Sequence, residues 1–190
     1  GIRVLDFTQF LAGPYCCMFL ADMGAEVIKV ENLKGGGDFV RSARPIDPKS
    51  NESMYFANLN RNKKSVCLDL KTREGKELFA ELIKSADVLV ENMRPGVIGK
   101  LGFSYEVCQQ LNPKLIYASI SGFGQYGPYS SRPGYDLIAQ AMGGSMSITG
   151  WPGQEPTRAG MAIADLMAGQ NACIGIVSSL YKRRDTGKGQ

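Results

Sequence analysis

Hydrophobic and polar positions alternate along this chain in two rhythms. Ile2–Phe7 and Ala25–Glu31 are short runs in which apolar side chains crowd or alternate, the pattern of strands in a buried sheet. Ser65–Leu70, Asp87–Glu91 and Leu115–Ile120 repeat that pattern. Helical spacing lies between them. Pro14 suits the first turn of a helix that carries Cys17, Phe19 and Leu20 and stops at Gly24. Thr72 caps a second helix, in which Leu78, Phe79, Leu82 and Ile83 recur on one face. Ser104 caps a short third helix, which must end before Pro113. Strand and helix in alternation predict an α/β domain with a mostly parallel sheet.

Two stretches break the alternation. Residues 32–53 are polar, contain Gly35, Gly36 and Gly37 with two prolines, and read as a long functional or mobile loop. Residues 159–181 hold a single charge, Asp165, in twenty-three positions. That length first calls up a membrane span. Gly160, Gly169, Gly175, Gln170, Asn171, Ser178 and Ser179 make it a poor one. The expectation is a buried helix ending at Lys182–Arg184, where cations suit the C-terminal dipole, with Asp165 near its start.

Composition narrows the chemistry. The 190 residues fit one domain, or one large domain with an extension, and 44% of them are hydrophobic, enough for a sizeable core. There is no histidine. Ser-His-Asp and Cys-His nucleophile systems within the chain are therefore excluded, as is His-ligated zinc. Catalysis would have to run on carboxylates, lysines, tyrosines, thiols or bound cofactors. A net charge of +4 is compatible with a small polyanionic ligand and does not argue for nucleic acid. The five cysteines form no CxxC and read as buried free thiols of a reducing cytoplasm. No signal-peptide pattern opens the chain, which begins without methionine and stops at Thr186–Gln190 just past a helical pattern. Both ends look like cuts in a longer protein.

Four motifs compete for function. Gly122, Gly124 and Gly127 match the GxGxxG dinucleotide fingerprint after a predicted strand. The fingerprint must open a helix, but Pro128 and Pro133 follow. A tight backbone path at the strand ends, where open α/β sheets bind ligands, explains these glycines better. Asn60–Ser65 reads as a solvated basic turn, and Glu91–Gly96 as a polar turn directly after a buried strand. Asp165 is either a helix-start acid that caps backbone N–H groups or a carboxylate in an apolar wall, a nucleophile or base.

In order along the chain, Val4–Phe7, Ala12–Pro14, Leu20–Glu31, Asn60–Ser65, Leu68–Lys71, Asp87–Asn92, Arg94–Gly96, Ser119–Pro128, Arg132–Asp136, Ala162–Asp165 and Ala168–Gly169 resemble the class III CoA-transferase family, the CaiB–BaiF type. The resemblance implies that residues 1–190 form a CoA-binding, Rossmann-like large domain, the N-terminal portion of an interlocked homodimer whose small domain is not represented. It implies that Asp165 is the nucleophile, passing through an aspartyl anhydride and an aspartyl-CoA thioester. It places CoA contacts at Leu68, Lys71, Asn92, Met93, Arg94, Lys100, Arg132 and Tyr135. The substrates it implies are an acyl-CoA and a small carboxylic acid in the cytoplasm, with no tightly bound cofactor, no metal, no nucleic acid and no membrane. The related α-methylacyl-CoA racemases carry a histidine where Tyr135 stands beside Asp136, and tyrosine is a poor base at neutral pH. A racemase-like enzyme and a non-catalytic acyl-CoA-binding protein are the alternatives, with an NAD-binding oxidoreductase weaker still.

Overall fold

A computed structural model describes residues 1–190. Five parallel strands form one sheet: β1 (Arg3–Phe7), β2 (Glu26–Asn32), β3 (Lys63–Leu68), β4 (Val88–Glu91) and β5 (Ile116–Ser119), in the spatial order β3-β2-β1-β4-β5. The chain winds outward from β1 to the β3 edge and then crosses back to lay β4 on the other side of β1. The order therefore reverses between β1 and β4, and the loops leaving their C-terminal ends diverge into a crevice, the place where such sheets bind ligands.

Period-two alternation divides the core between the two faces of the sheet. Leu5, Val30 and Leu89 face helices α3 (Arg73–Ser85), α4 (Val97–Lys100) and α5 (Tyr105–Leu111) through Phe79, Ile83, Ile98 and Cys108. Val4, Val27, Val88 and Val90 face α1 (Ala12–Asp22) and α7 (Ile163–Thr186) through Cys16, Cys17, Leu20, Cys173 and Ile176. Two further helices pack on these: α2 (Met54–Asn60) on α1, and α6 (Asp136–Met142) on α7. The predicted α/β class and mostly parallel sheet are what the structure shows.

Four local expectations need correction. The third strand starts two residues earlier than its apolar run, because Lys63 is inside. Its ammonium donates to Asp6 Oδ2 at 2.8 Å, Pro14 O at 2.9 Å and Asn60 Oδ1 at 3.0 Å. Asn60–Ser65 is thus no simple solvated turn. Residues 32–53 are not an unstructured loop. They fold into two 3-10 turns, Leu33–Gly35 and Phe39–Ser42, and an Ile46–Ser53 bridge, and lead straight into α2. Buried polar groups hold them: Lys29 Nζ meets Asp38 Oδ2 at 2.8 Å, and Glu31 accepts from Arg41 Nη2 at 2.6 Å, Ser65 Oγ at 2.6 Å and the Asp38 N–H at 2.8 Å.

Helix α7 is not buried all round. Gly169 seats it on α1 so closely that a Cβ there would come within 2.6 Å of Ala12 O. Gly169, Cys173 and Ile176 are buried, while Met167, Ile174, Val177 and Tyr181 form an exposed apolar stripe. Cys67 is exposed, and the other four cysteines are buried free thiols.

Candidate active site

The crevice between β1 and β4 opens into a cavity of about 460 Å³. Its floor is stitched by side chains that follow the two strands. The Gln9 N–H donates to Asn92 Oδ1 at 2.8 Å, and Asn92 Nδ2 returns a bond to Gln9 O at 2.7 Å. Glu91, 2% exposed, accepts the Met93 N–H at 2.9 Å and so shapes the turn that presents Asn92, Met93 and Arg94. Burial pushes the Glu91 carboxyl above its ordinary value. Phe10 follows with φ of 65°, a left-handed conformation that a bulky residue holds only when its surroundings demand it. Its ring packs against Phe39 at 5.6 Å and edge-on to Tyr135 at 6.2 Å, so an aromatic rim borders the cavity.

Asp165 stands in the first turn of α7 and lines this cavity. The capping alternative is settled by a different residue. Asp136 Oδ1 accepts the N–H of Ala164 at 2.8 Å and of Asp165 at 3.3 Å, and so satisfies the start of the helix from outside it. Gln140, itself buried, steadies Asp136 by donating from Nε2 to Oδ2 at 2.6 Å, and its Oε1 accepts from Ala159 N at 2.9 Å. The Asp165 carboxylate is left free of any such duty. Burial, and secondarily the negative charge of Asp136, push it from 3.8 to about 6. At neutral pH it is mostly ionised, yet more basic than an exposed aspartate.

Of the residues expected to bind CoA, Asn92, Met93, Arg94, Arg132 and Tyr135 share this cavity with Asp165. Leu68, Lys71 and Lys100 do not line it: Leu68 packs into the core, and Lys71 and Lys100 are exposed. Arg132 lies over the Tyr129 ring at 4.2 Å. Sequence reasoning passed over Phe10 and Tyr55. Tyr55, on α2, is brought near enough that burial, then the charges of Asp165 and Asp38, raise its hydroxyl. No local pattern marks it, because residues 32–53 have to fold before α2 reaches the site. The Gly122–Gly127 segment stays irregular, and the next helix is α6, so no helix N-terminus receives a pyrophosphate there.

This architecture recurs in known proteins. The chain is 46% identical over 197 aligned positions to a succinate–glutarate CoA-transferase of Agrobacterium fabrum, and the match takes in all of the chain and 48% of that protein. It is 47% identical to an acetyl-CoA:oxalate CoA-transferase of Acetobacter aceti, again across the whole chain and 48% of the relative. The crystal structure of a CAIB/BAIF family protein from Brucella suis superposes with a TM-score of 0.94 at 44% identity, covering 100% of this chain and 50% of that one. The chain thus spans about half the length of the relatives it matches. A family description, CoA-transferase family III, matches residues 1–190 from end to end, and the chain belongs to that family.

Proposed function

We propose that the protein moves CoA from an acyl-CoA thioester to a small carboxylic acid, with Asp165 as the covalent nucleophile. One observation carries this reading: an uncommitted, partly desolvated carboxylate faces the strand-end cavity while Asp136 takes over the capping of its helix. A carboxylate attached to backbone donors would be a weak nucleophile; this one keeps its lone pairs for a ligand.

The steps balance without an external acid or base. An Asp165 oxygen attacks the thioester carbonyl, the C–O bond forms, the C–S bond breaks and CoA leaves as thiolate. The thiolate attacks the Asp165 carbonyl of the mixed anhydride, releasing the donor acid and leaving an aspartyl thioester. The acceptor carboxylate attacks that carbonyl and expels the thiolate. The thiolate then attacks the acceptor's acyl carbon, forming the new thioester and freeing Asp165. Splitting one exchange into four substitutions conserves the thioester energy. Arg94 and Arg132 are suited to the anionic part of CoA, and Met93 to its apolar arm.

The named substrates of the relatives, succinate, glutarate and oxalate, are small dicarboxylates. We extend the same acceptor class to this protein, acting as a homodimer in the cytoplasm. Incubating the full-length protein with acetyl- or succinyl-CoA and each dicarboxylate, with chromatography of the CoA esters, tests the reading. A new acyl-CoA with the wild type and none with Asp165→Asn is expected. Undiminished transfer by Asp165→Asn would overturn it.

A further inference from the structure

One polar atom in the site has no part in these steps. Three buried side-chain oxygens make no hydrogen bond: Asp38 Oδ2, Asp69 Oδ2 and Ser121 Oγ. The two carboxylate oxygens each have an ammonium beside them, Lys29 Nζ at 2.8 Å and Lys34 Nζ at 2.9 Å. Ser121 Oγ has no protein partner of either kind. A buried hydroxyl left unmatched is costly. Such a group calls for a physical reason.

Position supplies one. Ser121 lines the cavity that holds Asp165. Its backbone is fixed on both sides. The Ile120 N–H is bonded to Glu91 O at 2.9 Å, and Gly122 packs so tightly on Gly134 that a Cβ on either would overlap the other's Cα. What remains free is the hydroxyl, which turns among three staggered positions and serves as donor or acceptor. The cavity wall includes the apolar Ile120, Pro133, Ala164 and Ala168, and the cavity's guanidinium groups, Arg94 and Arg132, belong to exposed residues. Among the cavity's other side-chain donors, the Asn92 amide is already committed to Gln9 O, and Tyr135 is exposed.

We propose that Ser121 is a substrate-binding residue: a turn about its Cα–Cβ bond points the hydroxyl into the cavity, where it donates to a carbonyl or carboxylate oxygen of the acyl group held at Asp165. The inference rests on the transferase reading and assigns to Ser121 the acyl end of the ligand, not its nucleotide end. No proton leaves the hydroxyl.

Ser121→Ala and Ser121→Thr in the full-length protein test it, with three readouts: kcat/KM for the acceptor acid, Kd for free CoA, and the thermal midpoint. Ser121→Ala should lose about tenfold in kcat/KM, the worth of one hydrogen bond to an ionised or strongly polar oxygen. Its Kd for CoA should stay unchanged, and its midpoint should hold or rise, because an unmatched hydroxyl has been removed. Ser121→Thr, which keeps the hydroxyl, should retain most of the activity. Unchanged kcat/KM in Ser121→Ala, an equal weakening of CoA binding, or a lowered midpoint or failure to fold would each overturn the assignment. Transfer by the wild type that survives in Asp165→Asn would overturn the transferase reading separately, and no transfer by the wild type would overturn both.

Discussion

Replacing Asp165 by asparagine should stabilise the protein while abolishing transfer. The Asp165 carboxyl is raised from 3.8 to about 6, by burial first and by Asp136 second. A folded-state value above the unfolded one means that the folded chain holds the proton more tightly. Stability from this group is therefore fully present below about pH 4 and lost as pH rises through 6. At pH 7 the ionised carboxylate opposes folding. The gap corresponds to about 3 kcal/mol at full strength. Asp165 is only half-buried, so solvent screening reduces this to about 1 kcal/mol. In a chain of this size that is a rise in thermal midpoint of about 2–4 °C. Asparagine preserves the shape and removes the charge, so calorimetry of the two proteins at pH 7 and again near pH 3.5 isolates the electrostatic part. The variant should melt higher at pH 7, and the difference should close in acid. A lower midpoint at pH 7, or the same difference at both pH values, would refute a desolvated carboxylate at this position.

Three other perturbations probe the frame around it. Lys63→Met should destabilise the chain by about 3 kcal/mol in urea unfolding, because it takes one of two ammonium partners from buried Asp6. Burial alone would raise the Asp6 carboxyl, but Lys29 and Lys63 outweigh it and hold it below its ordinary value. Gly169→Val should separate α7 from α1 and lose transfer along with stability, since backbone oxygen Ala12 O already occupies the space a side chain needs; an active variant of normal midpoint would contradict the packing. Asp136→Asn keeps an acceptor for the Ala164 N–H but removes a charge, so the acid limb of kcat/KM, expected near pH 6 in the wild type, should move downward by up to about one pH unit.

Alternation of apolar runs was enough to read the α/β class, all five strands to within two residues, and the helices α1, α3 and α5, because each of these buries a face by a local period. Two of the failures share one physical origin. Lys63 lies inside because Asp6, fifty-seven positions away, receives it; residues 32–53 fold because Lys29 and Glu31 of β2 hold Asp38 and Arg41. Long-range ion pairs leave no period in a sequence. Helix α7 misled differently: apolar composition predicted burial all round, whereas only one stripe is covered. Asp165 stood out in the sequence as an isolated charge, but spacing could not separate cap from nucleophile. The structure separates them by giving the cap to Asp136, itself invisible as such because it approaches from another helix.

The covalent role of Asp165 is open to one direct measurement. Full-length protein incubated with acyl-CoA and then hydroxylamine, digested and analysed by mass spectrometry, should carry a hydroxamate at Asp165 and at no other carboxylate, and should lose activity in proportion. Full activity after that treatment, or modification at another residue with Asp165 untouched, would contradict the mechanism.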